Sequence, residues 1–467
     1  MDYSASNTAL WNVIVQLGMI AGVILLGNFL RQKISFIRRS MMPVAVLGGF
    51  LLLIAKYTGI LRLDGALMEM LVYHGIALGF IAMSLRVPPK REEGTRDHSG
   101  LRSGAVIIST YMVQGVIGLL ITLVLSYTVL PGLFKASGLL LPMGFGQGPG
   151  QANNVGSSYE ALGFAGGRSF GLAVAAAGYL VACLVGVVIL SILSRRGKLR
   201  TVSEGEVSQP SLDFFQSKDE IPISSSIDKL SVQLAMVLIV YLATFLAAWG
   251  LTSGIAALSP GLANTLNPLI WGFNFIIGSA LALLLRVLLE QGKKAGLIQR
   301  QYHNNFLLNR ISGFFFDIMI VAGIASIDLA DIRGLWLPFA LMVLAGAALT
   351  WIHLRIVCRR AYPDYYYEGL ISMYGMLTGT ISSGVLLLRE IDPNLETPAA
   401  NNLITGSSFG ILLGAPLLIL VGLAPKSDLF CWLVVGLVVL YLAILYLLIF
   451  RLSRKKPDAG TGTAKTE

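Results

Sequence analysis

Apolar residues fall in eleven long runs along the chain, at roughly 9–30, 42–60, 66–85, 103–130, 170–193, 231–250, 267–290, 312–330, 335–356, 400–424 and 427–450. Each run is of a length suited to cross ~30 Å of hydrocarbon as a helix. Two further stretches, 134–168 and 366–398, are only partly apolar and mix glycine with small polar residues. The composition fits this pattern. Of 467 residues, 13% are charged and 55% hydrophobic, and the mean hydropathy is +0.74. A soluble domain carries about 25% charged residues. Disordered, coiled-coil and ordinary soluble-enzyme classes are excluded on these figures. The chain reads as an all-α integral membrane protein.

The net charge of +10 would suggest nucleic acid in a soluble protein, but the positions of the charges give a different reading. The N-terminus MDYSASN has no basic stretch of the kind a cleaved signal needs. The first run is followed at once by Arg31, Lys33, Arg38 and Arg39. Basic loops stay in the cytoplasm, so the N-terminus is expected outside and the C-terminus inside. Alternating from there, inside segments hold 27 of the 35 basic residues, and outside loops hold only Arg62, Lys135, Arg333 and Lys426. The bias survives only if 134–168 and 366–398 each enter and leave on one side. Both are therefore expected to be re-entrant hairpins, the first from outside and the second from inside.

The halves then read alike. Residues 1–193 hold five spans with a hairpin before the fifth, and residues 231–424 repeat that order. Residues 194–230 form a polar cytoplasmic linker, and 425–467 add one span and a basic tail whose end, 457–467, is expected to be disordered. A shift of 230 lays Gly150 over Thr380 and Glu160 over Glu390. One half starts outside and the other inside, so the expected fold is two inverted-topology repeats of five spans each plus an extra C-terminal span. Inverted repeats with broken membrane segments mark secondary transporters.

The hairpins carry the chemistry. The first reads Gly144-Phe-Gly-Gln-Gly-Pro-Gly-Gln-Ala-Asn-Asn154, and the second Tyr374-Gly-Met-Leu-Thr-Gly-Thr-Ile-Ser-Ser-Gly384. Neither can stay continuously helical. Unwound backbone at membrane depth is tolerated only inside protein or along a watery cavity. It offers N–H groups at positive helix ends to an anion, and carbonyls and hydroxyls to a hard cation. The expected substrate contacts are Gly146, Gln147, Gly148, Gly150, Gln151, Asn153, Asn154, Thr378, Gly379, Thr380, Ser382 and Ser383. Asp317 lies in an apolar run, where a carboxylate is costly unless paired, hydrated or ion-bound. Asp317, Asn401 and Asn402 are the ion-coupling candidates. Arg168 and Arg389 follow the hairpins, and either a carboxylate fork or a solvated end fits them. Arg286 reads as snorkelling, and Glu160 and Glu390 as hairpin-mouth residues. A glycine-rich packing interface is the plainer reading of either hairpin alone. Cys183, Cys358 and Cys431 have no paired spacing, and the four histidines are scattered. No nucleophile, metal or nucleotide motif is present, so an enzyme has no positive support.

At the same residues the chain resembles the bacterial sodium/glutamate symporter family over most of 9–424. The similarity rests on Ile34-Ser-Phe-Ile-Arg-Arg39 with Pro43-Val-Ala-Val-Leu-Gly-Gly49, on 144–156 with the Glu160-Ala-Leu-Gly-Phe164 stretch, and on 374–390. The resemblance implies a homodimer in the bacterial inner membrane, each protomer with a scaffold and a moving transport domain. It implies symport of Na⁺ with glutamate or a related organic anion, without a resident cofactor or nucleic-acid partner. The family's first hairpin usually has Gly-Gly-His-Gly-Thr where this chain has Gly146-Gln-Gly-Pro-Gly150. The second usually reads like Gly-x-Gly-Ala-Thr-Pro, against Leu377-Thr-Gly-Thr380 here. Na⁺ coupling thus follows from the resemblance more firmly than glutamate as cargo. Proton coupling, exchange of another carboxylate and a passive channel on the same fold stay open.

Overall fold

The computed structural model describes residues 3–4, 6–39, 42–87, 98–196, 226–259, 263, 266, 267, 270–296, 303–392 and 397–453. The regular elements among them are helical: α1 (Thr8–Lys33), α2 (Ser35–Arg39), α3 (Val44–Tyr57), α4 (Gly65–Ser84), α5 (Ser99–Thr128), α6 (Pro149–Glu160), α7 (Gly167–Arg195), α8 (Ser226–Leu258), α9 (Asn274–Lys294), α10 (Asn305–Ala325), α11 (Trp336–Ala361), α12 (Tyr366–Thr378), α13 (Ile381–Leu388), α14 (Ala399–Leu423) and α15 (Asp428–Leu452). Ten helices in the described residues are long and apolar enough to cross a membrane, which makes this a multi-pass, all-α membrane protein. Most of the linker expected at 194–230 and all of the tail 457–467 lie outside the described residues.

Polar residues set where the long helices begin. Asp64 caps α4 by accepting the Leu67 N–H at 3.1 Å, and Asn304 caps α10 by accepting the Leu307 N–H at 2.8 Å. Such caps satisfy N–H groups that the helix itself leaves open. The Asn304 cap starts α10 seven residues before the apolar run expected at 312–330. The run expected at 42–60 is shorter as a helix. It starts after Pro43 and stops at Tyr57, before Gly59 at φ 74°. At 1.5 Å per residue, α3 is about 21 Å long, less than the hydrocarbon it would span.

Helix ends sort onto two faces. On one, Asn12 donates to Asp64 at 2.6 Å, Lys56 to the Ile327 carbonyl at 3.0 Å, and Ser169 to Asp331 at 2.8 Å. Lys135 pairs with Asp428 there. On the opposite face Arg286 donates to the Arg86 carbonyl at 2.8 Å, and the Arg360 guanidinium lies over the Phe450 ring.

α5 runs through the centre, buried along most of its length, against α11, α14 and α15. Gly118 of α5 meets Gly138 backbone to backbone, so closely that a Cβ on either would overlap the other's main chain. Small residues of this kind let membrane helices approach without voids. That contact anchors the chain just before its first interruption.

Candidate functional site

The first interruption is built from a π-helical turn, Pro142–Gln147. It ends at Gly148, whose φ of 88° and ψ of −172° only glycine adopts readily. Pro149 then opens α6, where its missing N–H costs nothing. The second interruption lies between α12 and α13. Gly379 takes φ −133° and ψ −105°, and Thr380 is extended. Beyond it α13 folds back along α12, with Gly384 against the Ser372 carbonyl and Gly375 against Ser383. The chain before and after the first interruption also meets: the Phe134 and Phe164 rings stack with centroids 5.2 Å apart. At each break one helix ends in open carbonyls and the next begins in open N–H groups.

A cavity of about 230 Å³ joins the two breaks. Gly146 and Gln147 line it from the first, and Gly379, Thr380 and Ile381 from the second. Asp317 of α10 opens into the same space. Ile76, Phe80, Ile107, Phe316, Met376 and Leu418 are among its apolar walls. No ion pair to Asp317 occurs among the described residues.

α5 holds both breaks. The Tyr111 hydroxyl donates to the Gly146 carbonyl at 3.0 Å. Gln114 Nε2 donates to Thr350 Oγ1 and to the Leu377 carbonyl, each at 2.9 Å. Several buried polar atoms nearby have no hydrogen-bond partner among the described residues: Thr380 Oγ1, Ser383 Oγ, the Tyr179 hydroxyl, Gln114 Oε1, Asn153 Oδ1 and both ends of the Gln151 amide. Buried polar groups normally have partners, so these are places for water or ions. Tyr179 lies in electrostatic reach of Asp317.

Of the residues expected from sequence, Gly146, Gln147, Gly379, Thr380 and Asp317 share the cavity. Gly148 makes the turn, and Gly150 packs against Ile76 and Met319. Gln151, Asn153 and Asn154 are buried along α6, with Asn154 donating to the Gly272 carbonyl at 2.6 Å. Thr378 bonds the Tyr374 carbonyl of its own helix at 2.8 Å. Ser383 is buried, and the Ser382 side chain lies outside the described residues. Asn402 donates to the Tyr365 hydroxyl at 2.7 Å, and Asn401 is exposed; both sit at the start of α14, apart from the cavity lining. Arg168 pairs with Glu69, and its N–H donates to Glu160 at 2.9 Å, while Arg389 is exposed.

Sequence reading passed over Tyr111, Gln114 and Tyr179. Their signal was available: each is a polar group inside a run that is otherwise apolar or small, where it needs a partner. No family model matches the chain, and no curated protein matches it.

Proposed function

We propose that the chain is a secondary active transporter, a symporter that couples Na⁺ to movement of a small carboxylate-bearing solute, with glutamate the cargo that the family resemblance implies. One observation carries this reading: five residues expected from sequence, drawn from two separate interruptions and one isolated intramembrane carboxylate, line a single cavity. Open N–H groups at the starts of α6 and α13 suit a carboxylate. Open carbonyls and the unpartnered Ser383 and Tyr179 hydroxyls suit Na⁺, which takes hard oxygen ligands.

The contacts of the breaks support two re-entrant hairpins in inverted repeats. Phe134 and Phe164 bring the ends of the first together on the face of Lys135 and Asp428. Tyr365 and Asn402 bring the ends of the second together on the face of Arg360 and Phe450. In this reading 1–193 and 231–424 are the repeats, the N-terminus is outside, the C-terminus is cytoplasmic, and the membrane is the bacterial inner one. The protein works as a homodimer whose transport domains move past a scaffold.

The test is uptake of labelled amino acids and dicarboxylates into proteoliposomes, with and without an inward Na⁺ gradient. Uptake that depends on the gradient supports symport. Uptake indifferent to Na⁺ but driven by a proton gradient replaces the coupling ion. Downhill flux alone, indifferent to either gradient, makes the protein a channel.

A further inference from the structure

The cavity holds one charge, and its sign is negative. Among the described residues, Asp317 is the one carboxylate in the lining, which contains no Lys, Arg or His. Three arginines of the membrane region make their contacts away from the cavity. Arg168 is paired with Glu69, Arg286 donates to the Arg86 carbonyl, and the Arg102 guanidinium lies over the Tyr362 ring. A dicarboxylate bound here would bring two negative groups beside a third, with only one set of helix N–H groups per break to receive them. Asp317 is exposed to the cavity, and like charges brought close together repel unless a cation stands between them.

Most of the remaining lining is apolar, and Tyr111, Gln147, Thr380 and Ser407 are its polar side chains. Ile76 and Phe80 of α4, Phe316 of α10 and Leu418 of α14 share one space. An apolar wall of this kind gains from covering hydrocarbon and offers nothing to a second carboxylate. The cavity volume is about 230 Å³. That suits a small metabolite and falls below the ~300–1,000 Å³ of drug-sized pockets.

Resting on the transport reading above, we infer that the cargo is a zwitterionic amino acid with an apolar side chain. Its ammonium meets Asp317, its carboxylate meets the Thr380 hydroxyl and the N–H groups that open α13, and its side chain lies among Ile76, Phe80 and Phe316. Each chemical part of such a molecule finds its complement in the lining. A hydrophilic dicarboxylate leaves the apolar wall unused and one carboxylate unpaired. A simple monocarboxylate leaves Asp317 without its cation, and a simple amine leaves the α13 N–H groups without their anion.

The experiment uses the purified full chain with four probes of matched shape or charge: leucine, 4-methylpentanoate (leucine without its amine), 3-methylbutylamine (leucine without its carboxylate) and glutamate. Direct binding is measured by competition against labelled leucine, and Na⁺-driven uptake is measured in proteoliposomes. Leucine is expected to outcompete each of the other three by about tenfold or more, the worth of one charge-assisted hydrogen bond. Asp317→Asn is expected to remove the advantage of leucine over 4-methylpentanoate, because only leucine has an ammonium to lose. Equal competition by 4-methylpentanoate or by the amine overturns the inference. Na⁺-driven glutamate uptake without leucine binding overturns it too, and leaves the transport reading standing. Leucine binding with the expected order but no gradient-driven uptake upholds the site chemistry, and it is then the transport reading that fails. The wild-type series decides the matter even if Asp317→Asn does not fold.

Discussion

Gln114 Nε2 donates a hydrogen bond of 2.9 Å to the carbonyl of Leu377, 263 residues further along the chain. The donor lies midway along α5, and the acceptor belongs to the last turn of α12, just before the second interruption. One turn earlier on α5, Tyr111 holds the Gly146 carbonyl at the first interruption. A single buried helix therefore ties the two breaks to each other. The cavity between them depends on two side-chain bonds as well as on packing.

Gln114→Leu removes the donor and leaves the Leu377 carbonyl and the Thr350 hydroxyl short of a partner. Loss of buried partners costs about 1–3 kcal/mol. The variant is expected to unfold at a lower temperature in detergent and to lose most uptake. Thermal unfolding and proteoliposome flux, measured on the same preparation, check this. Unchanged values for both would show that the bridge does not support the site.

Gly150 and Gly379 have no space for a larger side chain. A Cβ at 150 would press on Ile76 and on Met319, and one at 379 would lie 2.9 Å from Ser383 Oγ and 3.1 Å from Ala182 Cβ. Gly150→Leu and Gly379→Leu are each expected to abolish uptake while the protein still reaches the membrane. Gly148→Ala is expected to cost about 1–3 kcal/mol, because φ 88° with ψ −172° is a backbone region essentially reserved for glycine. Membrane fractionation with flux assays separates the outcomes, and normal uptake by both leucine variants removes the hairpin site.

The orientation rests on the 27-to-4 split of basic residues. All three native cysteines are buried, so single introduced thiols give a clean signal. In sealed cells an impermeant reagent should reach cysteines at 4 and 426. Labelling at 460 under the same conditions would invert the topology.

Voltage should matter. One charge moved inward across ~100 mV is worth roughly 2.3 kcal/mol. A zwitterion with one Na⁺ already carries net positive charge, and a monoanion needs at least two Na⁺ to do so. An inside-negative potassium diffusion potential at fixed Na⁺ gradient is therefore expected to accelerate uptake. A rate that ignores the potential would rule out electrogenic coupling.

Asp64 supplies a pH dependence outside the spans. The Leu67 N–H and the Asn12 amide hold its carboxyl below the ordinary carboxylate range. A carboxyl lowered on folding stabilises fully above its unfolded pKa, and the contribution is lost as pH falls through the lower folded value. Unfolding midpoints should therefore drop below about pH 4 in the parent protein. Asp64→Asn keeps an acceptor for the cap but cannot titrate, so its midpoint should fall less over the same range. Parallel curves for the two proteins would assign the acid sensitivity to other carboxyls.

The sequence by itself determined the class and ten of the eleven expected long apolar helices, because hydrocarbon imposes a local rule. A run of about twenty apolar residues satisfies its own backbone as a helix, wherever its neighbours lie. The two interruptions were legible for a related reason, since Pro149 lacks an N–H and glycine-rich stretches such as those around Gly148 and Gly379 hold a helix weakly. Partners were not legible. Asn153 and Asn154 are adjacent, yet one leaves its oxygen unpartnered and the other reaches Gly272. Asn401 and Asn402 are adjacent as well, yet one is exposed and the other meets Tyr365. Successive residues on a helix face different ways, about 100° apart at 3.6 residues per turn. Only the packing of α5, α10 and the two broken segments decided that Asp317, Gly146 and Thr380 share a cavity, and that most of its remaining walls are apolar.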